Sequence, residues 1–235
     1  MNFSRRLAVM CIIPLIVLVI VISSISSNIL TKNLEKEIEG SLKIVATSLE
    51  ETYSTLYEGD YSMGQDGKLY KGGVQISDTS LFDSLKENTG FDSSYYFGDR
   101  VIITSVKRML NGELAGGRIT GNKHMPEDIL NEVMAGNEVF RTDFMLQEVQ
   151  YYGYFKPLIN SDGTIVGCIF SGKPAAEVEA QIKAETSKIT IWALLISVAC
   201  VVLIIIISNS MSKNMVKTKN FLEVVSTGDL RQNAR

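Results

Sequence analysis

A small set of side chains in this sequence has the chemistry to recognise a charged or polar small molecule. Arg100 follows a Gly98-Asp99 turn and opens the β-rich run RVIITSV, and its planar fork of donors suits a carboxylate. Strand alternation puts positions 100, 102 and 104 on one side, so Thr104 is expected beside Arg100. Arg118 sits at the end of a weaker strand, ELAGGRITG. In YYGYFKPLINSDGTIVGCIFSGK, residues 151–173, Tyr152 and Tyr154 share one strand face, and Tyr151, Gly153 and Phe155 share the other. Lys173 comes just past the last strand, where its chain could turn back over the sheet. Arg100, Thr104, Arg118, Tyr152, Tyr154 and Lys173 are therefore the candidate ligand contacts. Each has a plain alternative. Exposed arginines pair with surface carboxylates for little energy, tyrosines favour strands for packing alone, and the residue before Pro174 can be a simple joint.

Catalytic constellations are nearly absent. The only histidine, His124, lies in the polar loop GNKHMP, so a metal cluster or a Ser–His pair has little to build on. Glu127 and Asp128 are adjacent carboxylates at a helix start, where the macrodipole favours them anyway. GGRITG has glycines but lacks the strand–turn–helix context of a phosphate loop. No enzymatic activity, metal or cofactor is expected.

Two uncharged stretches frame these residues, Leu7 to Ser27 and Ile189 to Ile207. Each is about the ~20 residues a helix needs to cross hydrocarbon. The first follows MNFSRR; a cleavable signal peptide is the alternative, but the apolar run is long and no small-x-small site closes it. It reads as an uncleaved anchor. Arg5 and Arg6 precede the first span, and Lys213, Lys217, Lys219, Arg231 and Arg235 follow the second, so both termini are expected in the cytoplasm. Residues 28–188 hold 16 Lys and Arg against 24 Asp and Glu, a formal charge of −8 within a chain of −3. An acidic outer domain argues against nucleic acid as a partner. Cys168 is the only cysteine between the spans, so this domain must fold on a hydrophobic core, for which ~160 residues suffice.

The elements that position the candidates follow from periodicity. Leu30, Leu34, Ile38, Leu42, Val45, Leu49, Tyr53 and Leu56 form one apolar stripe of a long helix continuing outward from the first span. The stripe could pack on the domain's own sheet or form a dimer seam. EGDYSMGQDGKLYKGG reads as a loop, and SDTSLFDSLKENTG as a short helix with Ser77 or Asp78 as N-cap and Gly90 as its stop. FDSSYYF and RVIITSV make a hairpin; MPEDILNEVMAG is a helix opened by Pro126 and closed by Gly136. EVFRTDFML, VQYYGYFKPLI and TIVGCIFSG are three successive strands, and PAAEVEAQIKAETSKI is a helix running into the second span. The expected fold is α+β: a long N-terminal helix packed on a central antiparallel sheet of about five strands, flanked by two transmembrane helices.

This order resembles the extracytoplasmic single-Cache, PAS-like domains of bacterial chemoreceptors and sensor kinases. The resemblance rests on LKENTGFDSSYYFGDRVIITSV, GNEVF and YYGYFKPLINSDGTIVGCIFSGK, and covers about residues 30 to 188. It implies a two-pass protein of the bacterial inner membrane, 28–188 outside, that binds a small organic acid or amino acid and works as a homodimer. It also implies that the strand from Arg100 to Thr104 and the aromatic strand line the ligand cavity. Family members commonly have tyrosine two residues before the proline, where this chain has Phe155. NSMSKNMVKTKNFLEVVSTGDL, within residues 208–235, resembles the first helix of a HAMP linker ending at Gly228, Asp229 and Leu230, with NMVK where a proline is common. The chain stops at Arg235. A transducer fragment, a kinase sensor portion, a naturally short chain and a non-sensory anchored protein all stay open; a chemotaxis coupling protein and kinase are partners only if an output module exists.

Overall fold

A computed structural model describes residues 3–110, 113–121 and 125–226. In chain order the elements are α1 (Phe3–Leu56), β1 (Tyr61–Met63), β2 (Leu69–Lys71), β3 (Val74–Gln75), α2 (Ser80–Thr89), β4 (Asp92–Phe97) and β5 (Arg100–Thr104). They continue with β6 (Lys107–Leu110), β7 (Glu113–Arg118), α3 (Glu127–Met134), β8 (Val139–Leu146), β9 (Val149–Ile159), β10 (Ile165–Pro174) and α4 (Ala175–Ser226). The chain divides into two compact units, Lys32–Ile182 and a second made of Met1–Thr31 with Lys183–Arg235.

Within Lys32–Ile182 the main sheet is antiparallel throughout, in the order β5-β4-β10-β9-β8. The last strand in sequence thus takes the centre of the sheet. On one face lies α1, whose Leu34, Ile38, Leu42, Val45, Ala46, Leu49 and Tyr53 are buried. They pack with Tyr95, Ile103, Tyr152, Tyr154, Leu158 and Ile169 of the strands, Phe82 of α2 and Val178 of α4. Of the two roles open to the apolar stripe, these residues take the first, because their side chains are covered by the chain's own sheet. The Ser171 hydroxyl of β10 adds a buried bond, donating to the Leu42 carbonyl of α1 at 2.6 Å. The opposite face presents Tyr96, Val101, Val139, Phe144, Phe155, Cys168 and Phe170 to Ile129 and Val133 of α3. At roughly 1.5–3 kcal/mol per fully buried large apolar side chain, these two clusters supply the main drive for folding.

Two glycines make the second face fit. Gly153 and Gly172 are cross-strand partners. A Cβ on Gly172 would lie 2.2 Å from Phe170 Cζ, and one on Gly153 2.8 Å from Phe170 Cε2. The Phe170 ring covers both, in the space their missing side chains leave.

Local signals mostly hold, with four corrections. Asp78 accepts from the Ser80 N–H at 2.8 Å, while Thr79 occupies the N-cap position itself. Gly90 stops α2 in the left-handed conformation, φ 73°, donating its N–H to Lys86 O at 2.8 Å. The stretch read as a loop instead forms β1–β3, a small three-stranded sheet; strands of two or three residues are too short to show alternation. The weak strand, β7, pairs with β6 in a separate ribbon. Lys173 lies inside β10, opposite Tyr152, and not beyond the strand end.

In the other unit, α1 and α4 each carry a stretch long and apolar enough to cross a membrane. Large apolar side chains there are turned outward, among them Leu18 at 58% and Trp192 at 66% exposure, unlike the core helix of a soluble domain. Two candidate membrane helices flanking one domain fit a two-pass membrane protein. His124 and the Gly228-Asp229-Leu230 motif lie outside the described residues.

Candidate functional site: a polar cleft at one end of the sheet

At the end where β4 and β9 begin and β5 and β10 finish, the second face is not covered by α3. A cleft of about 860 Å³ opens there, walled by α2, Ser105–Lys107, Arg118 and the first turn of α4. Its centre is Asp92, the first residue of β4, only 2% exposed. Asp92 stands opposite Gly172, which has no side chain to crowd it. Burying a carboxylate is costly unless it is paired and hydrogen-bonded. Here Oδ1 accepts from Lys86 Nζ at 2.7 Å and from Ser105 Oγ at 2.8 Å, and Oδ2 accepts from the Tyr151 hydroxyl at 3.3 Å. Burial, and after it the Asp92 charge, pushes the Tyr151 phenol well above its ordinary pKa, so it stays a donor.

Arg118 closes one side. Its guanidinium donates to the Thr104 carbonyl at 2.7 Å and to Asp83 Oδ2 of α2 at 2.5 Å. It thereby ties the β6–β7 ribbon both to the edge strand and to α2. Glu87, Lys107 and Glu177 complete the charged lining. A smaller cavity of about 340 Å³ lies beyond Arg118, where β5 faces β2 and β3. The arrangement offers donors, acceptors and both signs of charge around a buried anion, which is the equipment of a binding site.

The six residues singled out by sequence do not converge. Arg118 lines the main cleft, and Thr104 borders the smaller cavity. Thr104 is buried, with its hydroxyl 2.6 Å from Ser94 Oγ and accepting from the Val106 N–H. Arg100 lines neither cavity, its side chain 61% exposed, with Asp99 at 4.0 Å. The expected shared face of Arg100 and Thr104 is lost to a β-bulge: Thr104 pairs with Ser94 and Arg100 with Phe97, which face opposite ways. Tyr152 and Tyr154 face α1, as part of its core cluster. Lys173 lies over the Phe91 ring at 5.8 Å, beside α1, in a separate small depression.

Apart from Arg118, the residues that build the cleft are not among the six sequence candidates. Tyr151 was read on the face opposite Tyr152, and the cleft is on that face. Asp92 carried a signal in FDSSYYF, a charged residue opening a strand that is otherwise buried. Lys86 and Ser105 carried none, because their meeting with Asp92 is made by the turn at Gly90 and by strand pairing.

Residues 74–185 match the family model described as single cache domain 3. No curated protein matches the chain. The matched segment begins at β3, ends within α4, and includes the whole five-stranded sheet and every residue of the cleft. Cache domains sense small molecules outside the cell. Residues 74–185 thus resemble a Cache sensor domain of the single cache domain 3 type, and they lie in sequence between two helices long and apolar enough to cross a membrane.

Proposed function

We propose that this chain is the sensing portion of a transmembrane receptor, in which a small extracellular ligand binds the Asp92 cleft and the signal leaves through α4. The observation that carries this reading is the position of the strand-to-helix joint. Pro174, the last residue of the central strand, and Glu177, in the first turn of α4, both line the cleft. From there α4 continues without a break to Ser226. A ligand that prefers one arrangement of this joint shifts the balance between two positions of the helix, and only by its difference in affinity for them.

The output is cytoplasmic in this reading, with both termini inside and the tail after residue 207 entering a HAMP linker. A methyl-accepting chemotaxis receptor is the first assignment and a sensor kinase the second, each working as a homodimer. The ligand class is a small organic acid or amino acid. The test is a chimaera carrying a known output module after residue 226, with a six-residue Gly-Ser insertion at residue 186. Ligand-induced thermal stabilisation of the outer domain should persist while the output response disappears. An output response that survives the insertion overturns the relay.

A further inference from the structure

The Lys86–Asp92 pair bears on the chemistry of the ligand; this inference rests on the reading of the cleft as the ligand site. Asp92 is the buried carboxylate of the cleft, and its cationic partner comes from α2, not from the sheet. The Lys86 side chain is 39% exposed and reaches Asp92 from the last turn of its helix. The rest of the lining favours cations over anions. Asp83, Glu87 and Glu177 add three carboxylates to Asp92, against Lys86, Lys107 and Arg118. Two of those three cations are already held by carboxylates, Lys86 by Asp92 and Arg118 by Asp83.

We propose that the cleft binds its ligand through a primary ammonium group that replaces the Lys86 ammonium on Asp92, so that Lys86 is a tethered occupant which the ligand must displace. Exchanging one ammonium for another keeps the buried carboxylate paired throughout, and no uncompensated buried charge is formed. A carboxylate ligand in the same place would set two anions side by side, which disfavours both charges. The released Lys86 side chain is already two-fifths exposed and passes readily into water. Its departure also removes an ion pair between α2 and β4, a contact that differs between the two states, as a ligand-driven shift requires. An amino acid fits if its carboxylate turns toward Lys107 or Arg118; a simple alkyl amine fits without that second contact.

The test uses the full chain in detergent micelles. The protein amino acids, short primary amines and short mono- and dicarboxylic acids are screened by thermal shift, and hits are measured by calorimetry. The variants are Lys86→Met, Asp92→Asn and Arg118→Met. The expected result is that an amine or amino acid binds the wild type, that Lys86→Met binds it about tenfold more tightly because the competing occupant is gone, and that Asp92→Asn loses it. If circular dichroism shows Asp92→Asn unfolded, the direction of the Lys86→Met change decides alone. A hit that lacks an amine, or weaker binding by Lys86→Met, overturns the proposal and leaves the cleft as the site. A hit bound equally by the wild type and all three variants removes the cleft as the site, and the proposal with it. Absence of any hit with both the wild type and Lys86→Met also overturns the proposal.

Discussion

The two faces of the central sheet are built from the same five strands and end differently. Against α1 the sheet is covered along a long helix, and the contact is apolar and aromatic, with Tyr53 meeting Tyr95 edge-on at 5.2 Å. Charges there are kept to the rim, where Lys156 pairs with Glu50 at 2.5 Å and Lys43 with Glu138. On the other face α3 has eight residues. At 1.5 Å per residue that is roughly 12 Å of helix, whereas the 11 residues of β9, at about 3.3 Å each, run roughly 36 Å. A helix that short leaves strand ends uncovered, and the polar cleft around Asp92 lies at one of those ends. Length of cover, more than strand composition, separates the structural face from the binding face.

Five substitutions probe that separation. The largest effect is expected from Phe170→Ala, which empties the space above Gly153 and Gly172; a loss of about 3–5 kcal/mol in chemical denaturation is expected. A loss under about 1 kcal/mol would mean that the ring is not a structural anchor of the cleft face. Gly172→Ala comes next, since its Cβ would fall 2.2 Å from the Phe170 ring. It should cost about 1–3 kcal/mol by overpacking, and Gly172 stands directly opposite Asp92, so ligand binding should weaken as well.

The paired tyrosines give a smaller and sharper contrast. Tyr151→Phe removes a hydrogen bond to Asp92 and should lower both stability, by about 1 kcal/mol, and ligand affinity. Tyr154→Phe, on the α1 face, should leave ligand affinity unchanged in calorimetry; a loss there equal to that of Tyr151→Phe would erase the distinction between the faces. The smallest effect belongs to the rim of the α1 face. A hydrogen bond from Lys43 holds the Glu138 carboxyl below its ordinary pKa. A folded-state pKa below the unfolded one adds stability that is complete above the unfolded pKa and is lost as pH falls through the folded one. The advantage of wild type over Glu138→Gln should therefore shrink as acid is added in pH-dependent melts. It should stay under about 1 kcal/mol, because this carboxylate is 38% exposed and salt screens it.

Much of the framework was legible because it is local. The stripe from Leu34 to Tyr53 shows helical periodicity, and every one of its members between those two is buried. The Gly98-Asp99 turn, the Asn160-to-Gly163 turn and the stop at Gly90 are readable from residues that tolerate tight backbone conformations; Gly163 N–H closes its turn on Asn160 O at 2.9 Å. The site was much less legible. Alternation correctly separated Tyr151 from Tyr152 and Tyr154, but alternation is symmetric and does not say which face a helix will cover. One bulge in β5 then reversed the relation of Arg100 to Thr104, since a single extra residue flips every side chain beyond it.

The amino-acid order by itself determined the α+β class, the two apolar stretches, the long helix and the strands of the main sheet, because these depend on periods of two and 3.6 residues and on nearby turn residues. Tertiary structure alone decided that β10 takes the centre of the sheet, that α3 leaves one end of a face open, and that Lys86, Ser105 and Tyr151 meet at Asp92. Those meetings join residues up to 59 positions apart. They depend on strand order, register and the reach of a covering helix, and no local period records any of these.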